Sequence, residues 1–258
     1  MAESVILKSV NGRVGYITLN RPEHYNTFTS EYAELLNDAL LDFDADEDIR
    51  VVVINANGKN FSTGIDLKEF DDRGLEAYKG FICLMDRHNH TIAKMKKPVI
   101  SSVQGYCLAN GAGLSFAADM TVAAESSKFG TTAVNVGLIC TGPGIPLLAN
   151  VGRKKAMEMV LLGEMITAQQ ALELGLVNWV VPDDQLAAKT DEIAEKLAKK
   201  SPLAVAAGKV GLAAAADSSY SESIDFGSER FAELCASDDA KEGVRAFVEK
   251  RKPEWKLK

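Results

Sequence analysis

Residues 51–68, VVVINANGKNFSTGIDLK, and residues 99–113, VISSVQGYCLANGAG, follow one plan. Each opens on an apolar, β-branched run: Val51–Asn55 after an acidic turn, Val99–Val103 after Pro98. Runs of this kind suit strands covered on both faces. Each then passes through small residues into a helix. A strand-to-helix turn leaves main-chain N–H groups unpaired at the crevice beside the strand ends. Two such groups aimed at one point form an oxyanion hole, with dipoles in place before charge develops on a carbonyl oxygen. The same turns also serve as ordinary α/β connections, so alone they identify no reaction.

Upstream, Val5–Val10 and Val14–Leu19 are β-rich runs parted by Asn11-Gly12, which predicts a hairpin. From Ser30, the residues Tyr32, Leu35, Leu36, Ala39, Leu40 and Phe43 recur at helical spacing, with Thr29 or Ser30 as N-cap. A second helix is expected over Leu75–Lys94. The alternation of strand and helix predicts an α/β core with parallel strands. Glycines crowd residues 104–145, around short strands near Val122 and Phe129, as tight turns or close approach to a ligand require. Beyond Pro182 the chain turns helical to about Lys250, with Ser201-Pro202 as a break. Tyr220, Ile224, Phe231, Leu234 and Cys235 mark an apolar face there, suited to a neighbouring subunit or to the chain's own core.

The 258 residues fit one large domain, or one domain with a helical appendage. Apolar residues at 47 % and charged residues at 25 % exclude a disordered, collagen-like or disulfide-stapled chain. Acids outnumber bases 36 to 29, for a net charge of −7, so no basic footprint for nucleic acid is expected. No apolar run reaches the roughly 18 residues of a membrane span. The four cysteines, Cys83, Cys107, Cys140 and Cys235, form no CxxC pair. They read as thiols in a reducing compartment, without zinc or disulfides. With no signal-peptide pattern in the first residues, the expectation is a cytoplasmic protein.

The segment Phe61-Ser62-Thr63-Gly64-Ile65-Asp66-Leu67-Lys68 resembles the F-x-x-G-x-D-[LI]-K segment of the enoyl-CoA hydratase (crotonase) family. Leu19-Asn20-Arg21-Pro22, Lys97-Pro98-Val99, Gly105-Tyr106, Asp119, Phe129-Gly130, Gly175-Leu176-Val177 and Phe247–Pro253 match in the family's order, over nearly the whole chain. The resemblance implies an α/β fold, a crotonase-like spiral of ββα units in residues 1–200. It also implies a C-terminal helical trimerisation region in 201–258, giving a homotrimer or hexamer. The ligand implied is a coenzyme A thioester acting as substrate, with no separate cofactor, metal or membrane partner.

By the same resemblance, the N–H groups of Ile65 and Asn110 would hold the thioester oxygen, beside Gly64. Asn110 replaces the usual glycine, but a backbone donor survives a change of side chain. His24, Tyr25 and Lys68 match positions near the nucleotide end of the ligand, Lys68 reading equally well as a solvated residue. Phe247 and Lys250 match a stretch that closes over the ligand from a neighbouring subunit. The family's hydratases move protons with two glutamates, and those positions hold Gly113 and Ala133 here. Thr141, at an aspartate position of some isomerases and dehalogenases, cannot ionise either. The small side chains predict extra room, suited to a cyclic or conjugated acyl group.

His90 is the expected replacement base. It matches a histidine of the chlorobenzoyl-CoA dehalogenase branch, and histidine is readily tuned to neutral pH. A plain polar face for His88-Asn89-His90 is the competing account. Asp66 is expected to cap the helix at Leu67. By the resemblance Asp71 and Asp72 fall in a stretch that lies over the acyl group, where either could supply a carboxylate or simply be solvated, and Cys107 and Cys140 read as buried structural thiols. Thr131, Thr132 and Asn135 could orient a water. The expected activity is hydratase- or isomerase-type processing of an acyl-CoA with a non-standard acid/base. The alternatives are thioester hydrolysis, carbon–carbon cleavage, or acyl-CoA binding without catalysis.

Overall fold

The hairpin forms as expected. In the computed structural model, which describes residues 3–70, 74–215 and 218–256, β1 (Ile6–Asn11) pairs antiparallel with β2 (Val14–Leu19), Asn11 opposite Val14. Gly12 takes φ 59° in the turn, a conformation that glycine adopts without penalty. The first helix, α1 (Ser30–Ala45), is capped by the Thr29 side chain, which accepts the Tyr32 N–H. It is followed by β3 (Val51–Ala56), α2 (Leu75–Met85), α3 (Arg87–Lys94), β4 (Val99–Val103), β5 (Tyr106–Leu108) and α4 (Asn110–Ala117). Next come β6 (Met120–Ala124), β7 (Lys128–Gly130), α5 (Thr141–Leu162, kinked at Gly152), β8 (Met165–Thr167), α6 (Ala168–Glu173) and β9 (Trp179–Val181). Helices α7 (Leu186–Ala198), α8 (Pro202–Ala215), α9 (Tyr220–Ala236) and α10 (Asp238–Val248) complete the chain.

Six strands form one sheet in the order β1-β2-β3-β4-β6-β9, parallel from β2 onward. A smaller sheet has the order β5-β7-β8, and single-residue bridges, Ser62 to Cys107 and Phe28 to Ile65, continue it. The chain therefore repeats one move. It crosses the large sheet, touches the small one, and returns through a helix: β3, then Ser62 and Ile65, then α2; β4, β5, α4; β6, β7, α5. This is a spiral of ββα units.

Alternation along β3 explains why its run is apolar throughout. Val51 and Val53 pack into one core with Ile100, Val122 and Ile193 of α7, while Val52 and Ile54 face the main core with Phe28, Leu36 and Phe61. Both faces are covered, as a parallel sheet demands.

The single helix expected over Leu75–Lys94 is two helices, broken at Asp86 (φ −100°, ψ 0°). The buried positions Phe81, Met85, His88 and Ile92 keep steps of four, three and four residues across the break. Periodicity therefore runs straight through it, and the change of direction is visible only in three dimensions.

Helices α8 and α9 bury no residue of their own. Leu212, Tyr220, Ile224 and Phe231 are more than half exposed, along a groove of about 710 Å³ between the two helices. Lys209 fastens this region to the core, its Nζ donating to the Asp119 carboxylate (2.7 Å) and the Lys97 carbonyl (3.0 Å).

Candidate active site

The turns after β3 and β4 lie side by side. The Ser62 N–H donates to the Tyr106 carbonyl (3.1 Å), and the Leu108 N–H donates to the Ser62 carbonyl (2.8 Å). Asn26, fully buried at φ 53°, fastens the first turn from below: its Nδ2 donates to the Asn57 and Asn60 carbonyls at 3.0 and 2.8 Å. The Ser62 hydroxyl donates to the Asn26 carbonyl (2.7 Å). Gly64 (φ 104°) and Gly111 allow the close approach. A Cβ on Gly64 would lie 2.7 Å from that of Ala109, and one on Gly111 would overlap the Ser62 carbonyl.

Two main-chain N–H groups are left over. The parallel bridge to Phe28 uses the neighbours of Ile65: Phe28 N–H donates to the Gly64 carbonyl (2.8 Å) and Asp66 N–H to the Phe28 carbonyl (2.9 Å). The Ile65 N–H points away from that strand partner. Asn110 opens α4, where a first-turn N–H has no intrahelical acceptor. Among the described residues neither N–H has a partner. The peptide before Asn110 is set by Ala109 at φ 48°, ψ −120°. A side-chain-bearing residue in that region costs of order 1–3 kcal/mol, and such strain concentrates at functional sites.

Ile65, Ala109 and Asn110 line one cavity of about 590 Å³. Ile82, Met85 and Asp86, from the end of α2 and the break that follows it, line it too, as do Ala133, Cys140, Thr141 and Gly142. Asp86 is the one carboxylate among the described lining residues. The Asn110 Nδ2 donates to its Oδ1 at 3.1 Å. Burial raises its carboxyl above the usual aspartate range, opposed by the Asn110 amide and by the charge of His90. A Cβ on Gly142 would overlap the Asp86 carboxylate, so glycine there is a condition of the Asp86 position. A spiral of ββα units with two free N–H groups on one cavity can bind and polarise a carbonyl group.

The profile of the enoyl-CoA hydratase/isomerase family matches residues 9–258. This chain belongs to that family. It is 36 % identical over 247 residues to a probable mitochondrial enoyl-CoA hydratase of Dictyostelium discoideum, covering 95 % of this chain and 88 % of that protein. The crystal structure of an enoyl-CoA hydratase from Mycobacterium smegmatis superposes with a TM-score of 0.94 at 35 % identity, covering 98 % of this chain and 99 % of that one. Human enoyl-CoA hydratase domain-containing protein 3 gives a TM-score of 0.93 at 33 % identity, covering 97 % and 100 %.

In this enoyl-CoA hydratase/isomerase family member the residues expected from the sequence fall into two groups. Ile65, Asn110, Ala133 and Thr141 line the cavity, and Gly64 supports it from behind. His90 does not line it: it lies exposed on α3, close enough for its charge to act on Asp86. His24, Tyr25 and Lys68 are exposed near the rim, where the Tyr25 carbonyl accepts the N–H of the lining residue Thr63 (3.2 Å). Phe247 and Lys250, also exposed, line no part of the cavity within one chain. Asp71 and Asp72 lie outside the described residues.

The room expected at Gly113 is filled. A Cβ there would lie 3.0 Å from three atoms of Pro143, which the first turn of α5 presses against α4. Only Ala133 opens on the cavity. Asp66 caps the 3₁₀ turn Leu67–Glu69 through the Lys68 N–H (3.1 Å) and pairs with Arg21 at 3.3 Å. Burial pushes the Cys107 and Cys140 thiols up, away from the thiolate. Thr131 is buried behind the cavity and Thr132 lines it, while the Asn135 amide donates to the Gly163 carbonyl at 3.0 Å.

Sequence reasoning missed Asp86. Helical spacing from Ile82 would place Asp86 and His90 on one edge alike, and only the break at Asp86 separates the two. The described residues contain no helix long and apolar enough to cross a membrane, and no group of three or more side chains suited to a metal ion.

Proposed function

We propose that this chain binds an acyl-CoA and carries out hydratase- or isomerase-type chemistry on its acyl group. The observation that carries this is the pair of unpartnered N–H groups, Ile65 and Asn110, on one apolar-walled cavity of a family whose members are named for enoyl-CoA. The thioester oxygen sits between the two N–H groups, and the charge that develops when the α carbon loses a proton, or the β carbon gains a nucleophile, is held there. Removing one such donor costs about 2.7–4 kcal/mol of transition-state stabilisation. His24, Tyr25 and Lys68 at the rim take the nucleotide end. Ala133 leaves space beside the acyl chain for a cyclic or conjugated group. No resident cofactor is needed.

The exposed apolar faces of α8 and α9 support assembly into trimers, alone or paired as hexamers, in which Phe247 and Lys250 of one chain reach a neighbour's ligand. All four cysteines are free thiols, which supports a reducing, cytoplasmic setting.

Incubation with crotonyl-CoA, with 3-butenoyl-CoA and with cyclic enoyl-CoAs, following the thioester absorbance and free thiol, tests the proposal. A change in conjugated thioester without free thiol is expected, either loss with crotonyl-CoA if water is added or gain with 3-butenoyl-CoA if the double bond shifts. Released thiol would instead indicate hydrolysis, and saturable binding without turnover would indicate a binding protein. No binding at all would refute the acyl-CoA assignment. Sedimentation of a Leu212→Asp, Phe231→Asp double variant tests the assembly, with monomers expected.

A further inference from the structure

The structure assigns Asp86 as the proton-transfer group of this cavity, with the Asn110 side chain as its positioning residue and a β,γ-unsaturated acyl-CoA as the substrate class. This rests on the acyl-CoA function proposed above, and four observations lead to it. Asp86 is the only carboxylate among the described lining residues. It stands at the N-cap of α3, yet its side chain makes no capping hydrogen bond. The ordinary structural use of an aspartate at that position is therefore not taken up. Its carboxylate is bonded instead to the amide of Asn110, at 3.1 Å. The same residue carries one of the two free N–H groups, so a single asparagine ties the proton carrier to the place where the thioester oxygen is held. Finally, Gly142 at the start of α5 leaves the space that the carboxylate occupies.

The chemistry follows from having one such group. Asp86, ionised, takes a proton from the carbon α to the thioester. The electron pair of that C–H bond passes into the dienolate, with its charge on the oxygen between the Ile65 and Asn110 N–H groups. The protonated Asp86 returns the proton to the γ carbon, the double bond moves from β,γ to α,β, and the carboxylate is restored. No atom is gained or lost and no second acid is required, whereas addition of water by the two-glutamate route needs two groups. The raised carboxyl range of Asp86 brings it closer to neutral pH, where a group that both accepts and returns a proton works best. The titratable groups facing it are His90 on α3 and Cys140 at the start of α5.

The test uses 3-butenoyl-CoA with the whole protein in D2O, measuring binding, deuterium uptake and the rise of conjugated thioester. The parent protein should bind the ligand, incorporate deuterium and shift the double bond. Asp86→Asn should keep the binding and lose at least about 100-fold in kcat. Asn110→Ala keeps its N–H but no longer donates to the carboxylate. The acid limb of its pH–rate profile should move to higher pH, a change that a merely structural asparagine would not produce. If the parent binds 3-butenoyl-CoA and Asp86→Asn exchanges as fast as the parent, the Asp86 assignment fails and the binding function stands. Loss of exchange in His90→Ala but not in Asp86→Asn, or binding by the parent with no exchange, overturns it equally. If the parent does not bind, both proposals fall.

Discussion

Two walls of the cavity are made from different material. The wall carrying Ile65 and Asn110 presents main chain: two turns bonded to each other through main-chain groups and fastened by the Asn26 amide and the Ser62 hydroxyl, with glycines where they touch. The wall carrying Asp86 is side chain held by side chain: a carboxylate at a helix break, an amide across from it, and a glycine that makes room. The first kind of wall constrains few residue identities beyond its glycines, Asn26 and Ser62, because an N–H is present whatever the side chain that borders the cavity. In the second kind, each residue type is the function. A cavity built this way can keep its grip on a carbonyl group while the proton-moving groups move from one wall to another.

Gly111→Ala attacks the first wall and should have the largest effect. Its Cβ overlaps the Ser62 carbonyl, so the turns must part. Activity should fall about 10²–10³-fold, as for a lost oxyanion donor, and chemical denaturation should show a loss of about 1–3 kcal/mol from overpacking.

Restoring the family's glutamates one at a time sharpens the contrast. Gly113→Glu meets Pro143 and should cost about 1–3 kcal/mol of stability. Ala133→Glu opens on the cavity and should cost under about 0.5 kcal/mol, the usual range away from packed sites. Equal losses in the two variants would mean that Pro143 yields.

Behind the second wall, His88 is buried against Phe28, with ring centroids 5.6 Å apart, and its Nε2 has no partner among the described residues. Burial holds its pKa down to about 4 from an ordinary 6.5. Between these values the unfolded chain binds a proton that the folded chain refuses, so stability falls as pH drops through that window. The slope approaches about 1.4 kcal/mol per pH unit once the unfolded imidazole is mostly protonated, so His88 should contribute a loss of about 1.5 kcal/mol between pH 6.5 and pH 5. Urea titrations at the two pH values measure it, and His88→Leu should remove that part of the slope.

The smallest effect returns to the first wall. Ala109→Gly relieves the positive φ at the cost of added freedom in the unfolded chain. A net gain of about 0.5–1 kcal/mol with activity retained is expected from thermal unfolding and turnover. A loss of activity would show that the Ala109 methyl, which lies against Gly64, also shapes the hole.

Most of the α/β core was legible because its signals are local. The hairpin glycine, the Thr29 cap, the apolar runs of β3 and β4 and the break before Pro202 each act within a few residues. The turn at Ile65 was equally legible, since its glycine and small residues stand together in the chain. Asp86 was not, because the steps from Phe81 to Ile92 match an unbroken helix. The blocked space at Gly113 was hidden too, as Pro143 lies thirty residues away in the chain and meets it only through the packing of α5 on α4.

Local chemistry thus determined where strands end in glycine-bearing turns, and with it the unpaired N–H groups, because main-chain hydrogen bonding is decided over short distances. Which side chain reaches the space between those turns and the helices is a matter of long-range packing. There the tertiary structure decided, turning His90 to solvent and Asp86 inward, because a change of direction at one residue between two helices leaves no trace in their spacing.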